Sequence, residues 1–174
     1  EVIKRDLRKS YRSLVNWGRQ NIKTIYINLE NPDRELFDKY SAFHAKVGGI
    51  SHYSQNYWDV YWNEILRARA ELSLGYLEGS QLATGTLVVW AGETAYYASG
   101  VYDRNLFAKP LGHFPVFDSI MRAKKRGIKM YDLGQIFPFG MATDKEVKIG
   151  FFKKGFTSNY ILRTRWILSS NNKK

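Results

Sequence analysis

Apolar residues recur along this chain with two periods, one near 3.6 and one of 2. The switches between them mark out its elements. Over residues 2–22, Ile3, Leu7, Leu14 and Val15 share one side with Tyr11 between them. Lys4, Arg5, Arg8, Lys9, Arg12 and Arg19 take the remaining positions, which predicts a basic helix stopped by Gly18 or Asn21. Residues 24–29, Thr-Ile-Tyr-Ile-Asn-Leu, are rich in β-branched and aromatic types and predict a strand. Asn31-Pro32 has the form of a helix start, with Asn as N-cap and Pro at the first helical position. Leu36, Phe37, Tyr40, Phe43, His44 and Val47 then follow at helical spacing as far as Gly48-Gly49. Ser54 starts another helix, whose stripe is Tyr57, Trp58, Tyr61, Ile65 and Leu66.

From Ala70 the period becomes 2. Leu72, Leu74 and Tyr76 alternate with more polar neighbours, Glu78-Gly79-Ser80 makes a turn, residues 82–90 a second strand, Ala91-Gly92-Glu93 another turn and residues 94–102 a third strand. Three strands joined by tight turns form an antiparallel meander. A loop over 103–112 leads to a helix over 113–126, with Phe114, Phe117, Ile120 and Met121 turned inward, and Gly127 ends it. Residues 130–136 predict a short strand. Thr143 and Glu146 have the spacing of a capping box, and the helix they open carries Val147, Phe151, Phe152 and Gly155. A last strand is expected over 160–168, before a polar tail at 169–174. This order gives an α/β fold: a mixed, mainly antiparallel central sheet with helices on both faces. With 174 residues, the chain is read as one domain.

Composition narrows the chemistry. The chain has no cysteine, which excludes disulfides, thiolate metal sites and a Cys nucleophile. Aromatic residues make up 16% of it, and a net charge of +11 favours anionic partners such as RNA, pyrophosphate groups or an acidic membrane face. The basic helix at 4–19 and the cluster Arg122, Lys124, Lys125, Arg126 and Lys129 are the candidate footprints. No apolar run approaches 18 residues and no signal peptide is visible, so the expected place is the cytoplasm, peripheral at the inner face of the membrane. The chain starts without Met, as a processed form or a domain of a larger protein would. His44, His52 and His113 are scattered without close carboxylates, so no metal is expected.

Four features together carry a family resemblance. They are Lys109-Pro110-Leu111-Gly112-His113 with the helix after it, Tyr131-Asp132-Leu133-Gly134, Phe152-Lys153-Lys154-Gly155-Phe156, and the order of elements. They resemble the GNAT acyltransferase fold in its FemA/FemB/FemX-like branch, the aminoacyl transferases that build peptidoglycan bridges. The resemblance covers residues 5–168. It implies acyl or aminoacyl transfer to an amine of a cell-envelope or sugar-linked precursor. The donor would be a co-substrate, aminoacyl-tRNA or acyl-CoA, and no cofactor would be bound tightly. Full Fem-type proteins carry two GNAT-like halves, so a second such domain is an implied partner. The glycine-rich pyrophosphate loop of ordinary GNAT enzymes is missing: residues 104–112 hold one Gly and a Pro. That leaves an acetyl-CoA-dependent N-acetyltransferase and a non-catalytic half of a larger transferase as alternatives.

The candidate site follows from both lines. The resemblance places the acyl group between the strands at 94–102 and 130–136, with backbone N–H groups near Ala98 to Gly100 facing its carbonyl oxygen. Gly100 there either permits close backbone approach or marks a bulge. Lys153 matches the family lysine linked to an anionic substrate, and Lys154 stands beside it; a solvated lysine pair is the plainer reading. Lys109, in the first motif, joins the substrate-binding candidates. His113 at a helix start suits a proton carrier held neutral. Tyr96 and Tyr97 point to opposite faces, so one of them, Tyr97 among the candidates, can line the cleft and donate a hydrogen bond. Tyr131 and Asp132 divide likewise, and Asp132 at a strand end either orients a substrate amine or caps a turn. The catalytic candidates are therefore His113, Asp132 and Tyr97. The binding candidates are Lys153, Lys154, Tyr131, Lys109 and Gly100.

Overall fold

A computed structural model describes residues 6–48, 53–137 and 140–162. Five strands form one sheet in the order β1-β2-β3-β4-β5: β1 Lys23–Ile27, β2 Ala70–Tyr76, β3 Leu82–Ala91, β4 Thr94–Tyr102 and β5 Met130–Asp132. The first four run antiparallel to their neighbours, and β5 lies parallel to β4. The helices are α1 Tyr11–Asn21, α2 Arg34–Gly48, α3 Gln55–Leu66, α4 His113–Lys125 and α5 Asp144–Lys153.

The expected α/β architecture is present, with helices on both faces. Leu72 and Leu74 of β2 turn to one side, where Phe37 and Tyr40 of α2 and Trp58 and Ile65 of α3 cover them. Glu71, just before Leu72 and of the opposite parity, turns to the other side and meets Arg122 of α4. On that side α1, α4 and α5 pack a second core of Tyr11, Val15, Val116, Phe117, Leu133 and Phe156. β2 is thus buried on both faces, and its polar alternate positions are covered by a helix rather than by water.

Several boundaries differ from the sequence expectation. The helix expected over 2–22 is interrupted: Asp6 is helical, residues 7–10 are not, and α1 starts at Tyr11, because the chain between is strapped elsewhere, with Arg8 N–H donating to Gly155 O at 2.8 Å. β1 stops at Ile27 rather than residue 29, since Asn28 Oδ1 accepts from the N–H groups of Glu30 and Asn31 and turns the chain. Asp33, not Asn31, caps α2, accepting from Leu36 N–H at 2.9 Å. The Ser54 cap and the Thr143/Glu146 capping box form as expected. Residues 160–162 show no strand, and 163–174 lie outside the described residues, as do 2–5 and His52. Val147 and Phe151, which α5 carries beside Phe152, are 49% and 65% exposed.

Candidate active site where two strands part

β4 and β5 pair at only three positions: Thr94 with Met130, Ala95 with Tyr131 and Tyr96 with Asp132. β5 was expected to continue to residue 136. It ends instead in a turn where Asp132 Oδ1 accepts from Gly134 N–H at 2.7 Å and Gly134 takes a φ of +82°, a conformation that favours glycine. Beyond Tyr96, β4 runs on to Tyr102 without this neighbour, so the two strands part there.

Close to the parting, β4 carries a bulge. Leu87 of β3 faces Ser99 and Val88 faces Tyr97, which leaves Ala98 as the extra residue. The extra residue shifts the alternation of side chains. Ala98 and Val101 pack with α2 and α3, and Ser99 Oγ accepts from Tyr40 Oη of α2 at 2.9 Å. Tyr97 and Tyr102 both turn to the α4 side, where their hydroxyls lie 2.8 Å apart. Gly100 lies between them, and a Cβ there would run into the Tyr97 hydroxyl. A Cβ on Gly112, just before α4, would stand 2.9 Å from the Tyr102 ring. Both glycines therefore make room for phenols of the chain itself. Burial raises both phenols, Tyr97 well above the ordinary tyrosine value and Tyr102 to about 12. Near pH 7 both are neutral. One O–H satisfies the other oxygen, and the pair retains one O–H to donate.

The remaining sequence candidates divide. Tyr131, on β5, lies close enough to Tyr97 to raise it further. Its own hydroxyl is tied into the core against Ser119 Oγ at 2.7 Å. Lys153 reaches back from α5, donating from Nζ to Gln135 O at 3.1 Å; burial lowers its pKa, and Asp132 opposes that. Asp132 and Lys153 thus lie near enough at the end of β5 to feel each other's charge. His113 stands at the first turn of α4 among aromatic rings, 4.4 Å from Tyr11 and 5.2 Å from Phe152, centroid to centroid. Burial lowers its pKa, and its buried Nδ1 has no hydrogen-bond partner among the described residues. Lys109 and Lys154 are exposed. Tyr102, which sequence reasoning passed over, is held by the glycine it straddles, and Gly100 was the signal that marked it.

The basic cluster on α4 is largely spent. Arg122 makes a bidentate pair with Glu71, and Arg126 adds a contact of 3.1 Å to the same carboxylate. Lys129 pairs with Glu93 at 2.6 Å. Lys124 and Lys125 remain as exposed cations there. Burial works to raise the pKa of Glu71, and its bonds to Arg122, Asn28 and Arg126 more than offset that, leaving it below the ordinary value. Asp118 accepts from Tyr26 Oη at 2.8 Å and belongs to this cluster rather than to His113.

No family model and no curated protein matches the sequence. Solved structures do match in fold. An aminoglycoside acetyltransferase, meta-AAC0020 from an uncultured soil metagenomic sample, solved with trehalose, superposes with a TM-score of 0.64 at 10% identity, covering 87% of this chain and 98% of that one. FemX gives 0.66 at 14% identity over 88% of this chain and 55% of its own. A ribosomal-protein-alanine N-acetyltransferase from Brucella melitensis biovar Abortus 2308 gives 0.59 at 10% identity, covering 85% and 99%. The chain has the fold of the GNAT acetyltransferases.

Proposed function

We propose that this chain is an N-acyltransferase of GNAT type that works by direct attack of an amine on a bound acyl donor. The observation that carries the reading is the parting of β4 and β5 beside the Ala98 bulge, with a neutral phenol pair at its edge. The amine lone pair attacks the carbonyl carbon and a C–N bond forms. The bond from that carbon to the donor's sulfur or oxygen breaks, and the leaving atom keeps the electron pair. The spare O–H of Tyr97 and Tyr102 stabilises the oxygen that becomes negative or protonates the leaving group. His113, neutral near pH 7, or water accepts the amine's proton. Lys153 and Asp132 hold charged parts of the substrates.

Among donors, the Fem-like reading stands first, with an aminoacyl group passed to an amine of an envelope or sugar-linked precursor. Two observations favour it. The likeness to FemX spans 88% of this chain. The approach to α4 offers a single glycine, whose free side is taken by the Tyr102 ring, so it makes a poor cradle for a pyrophosphate. A second GNAT-like domain in the whole protein fits the 55% coverage of FemX. Acetyl-CoA is the second reading, supported by the acetyltransferases of the same fold, one of which was solved with acetyl-CoA. A cytoplasmic place follows from either donor.

Thermal unfolding with and without acetyl-CoA tests the choice. Saturation at 100 times the dissociation constant stabilises the fold by about 2.7 kcal/mol. No shift is the expected result. A clear shift moves the assignment to acetyl transfer. Titration with charged tRNA at two salt concentrations then tests the aminoacyl reading, which requires binding that weakens with salt.

A further inference from the structure

Exposed large apolar side chains occur singly on much of this surface, as at Val60 and Phe107, which are 60% and 65% exposed. On α5 they are grouped. With 100° per residue, Val147 and Phe151 lie one turn and about 40° apart on the outward face, while Ile149, 41% exposed, lies on the far side of the helix. They are 49% and 65% exposed, and Met141, 78% exposed, stands just ahead of the helix. The same rotation sets Lys148 on one flank of this pair and Lys154 on the other, with Lys145 further round. Arg8 lies across the Phe151 ring, 4.0 Å from its centroid, and donates from Nη2 to Phe151 O at 3.2 Å. Between residues 141 and 154 there are four lysines and two acids, Asp144 and Glu146, and Glu146 is occupied by the cap.

We infer that this face of α5 docks on an anionic bilayer surface, with Phe151, Val147 and Met141 at the boundary of headgroups and acyl chains and Lys148, Lys154 and Arg8 on lipid phosphates. Two properties favour lipid over another polyanion. Val147 and Met141 offer a nucleic acid neither a hydrogen-bonding group nor a ring to stack on, and the Phe151 ring already carries Arg8 on one face; the flanking lysines extend long stems toward an interface. The +11 charge of the chain supplies the long-range attraction. The docking surface lies on a different element from the α4 cluster, whose arginines are committed to Glu71.

The test is flotation of the protein with vesicles of phosphatidylcholine alone or mixed with phosphatidylglycerol, at low and high salt. Binding to the mixed vesicles only, weakened by salt, is expected. Val147→Ser with Phe151→Ser should lower the bound fraction about tenfold, and Lys148→Gln with Lys154→Gln should act in the same direction. Lys124→Gln with Lys125→Gln should leave it unchanged. All these positions are exposed, and a thermal melt checks each variant's fold; the lysine pair carries the test if the serine pair unfolds. Failure to float with anionic vesicles overturns the inference, as does equal loss in the Lys124 and Lys125 variant. A dimer in light scattering that disappears with the serine pair also overturns it, because the face then belongs to a second copy.

Discussion

Ala68 is the residue other than glycine that takes a positive φ, +57°, among the described residues. It sits where α3 ends: Arg69 N–H reaches back to Glu64 O at 2.8 Å, and Trp90 Nε1 donates to Ala68 O at 2.7 Å. The left-handed conformation closes the helix, and a Cβ makes it costly there. Ala68→Gly should therefore stabilise the chain by about 1 kcal/mol, less a few tenths for the freer unfolded state, as read by urea unfolding. His113 makes a pH prediction at the same scale. Burial lowers its pKa, so the unfolded chain binds its proton more readily than the folded one. The stability it contributes is complete above the ordinary histidine value, about 6.5, and is lost as pH falls through the window below it. Unfolding free energy measured from pH 8 to pH 5 should decline on the acid side, and His113→Gln should flatten that decline.

Among the elements, α5 depends on its cap. Thr143 Oγ1 accepts from Glu146 N–H at 3.3 Å while Glu146 Oε2 accepts from Thr143 N–H at 2.8 Å. Thr143→Ala should cost about 1 kcal/mol by chemical denaturation, with fraying of α5 in hydrogen exchange. This cap was readable in the sequence, as were the turns of the meander and the glycine stop at residue 127, because each is set by residues within four positions of one another. The length of β5 was not readable. It depends on how far β4 stays alongside and on a turn at Gly134, and an apolar run carries neither fact. The surroundings of Glu71 were not readable either: alternation sets it on the face opposite Leu72, but only α4, about 50 residues later in the sequence, covers it and brings Arg122. Of the candidate site, Asp132, Lys153 and Tyr131 stand in the quoted motifs and Tyr97 was picked by strand alternation, but which of them lie near one another depends on tertiary packing and was not readable. Tyr102 escaped, since the bulge that brings it to Tyr97 leaves no mark in the sequence except Gly100.

Across the molecule, the sheet separates an aromatic core under α2 and α3 from a mixed core under α1, α4 and α5. The second core is tied to the sheet by charge as well as by apolar contact. Glu71 is 6% exposed, and its two arginines each stack on an aromatic ring, Arg122 on Tyr26 at 3.7 Å and Arg126 on Trp90 at 4.6 Å. Arg122→Met leaves a buried carboxylate without its bidentate partner, so it should cost about 3 kcal/mol in equilibrium unfolding. The loss should be smaller in acid, where the carboxyl takes up a proton. If the variant is as stable as the parent, the cluster is a neutral ornament of the α4 contact rather than its fastening.

The extra residue at Ala98 has a consequence for anyone counting along β4. Up to Ala98 the odd positions face α4; from Ser99 onward the even ones do. The strand changes parity in mid-course, so a substitution scan sorted into odd and even positions would average opposite faces and report a strand with no sidedness.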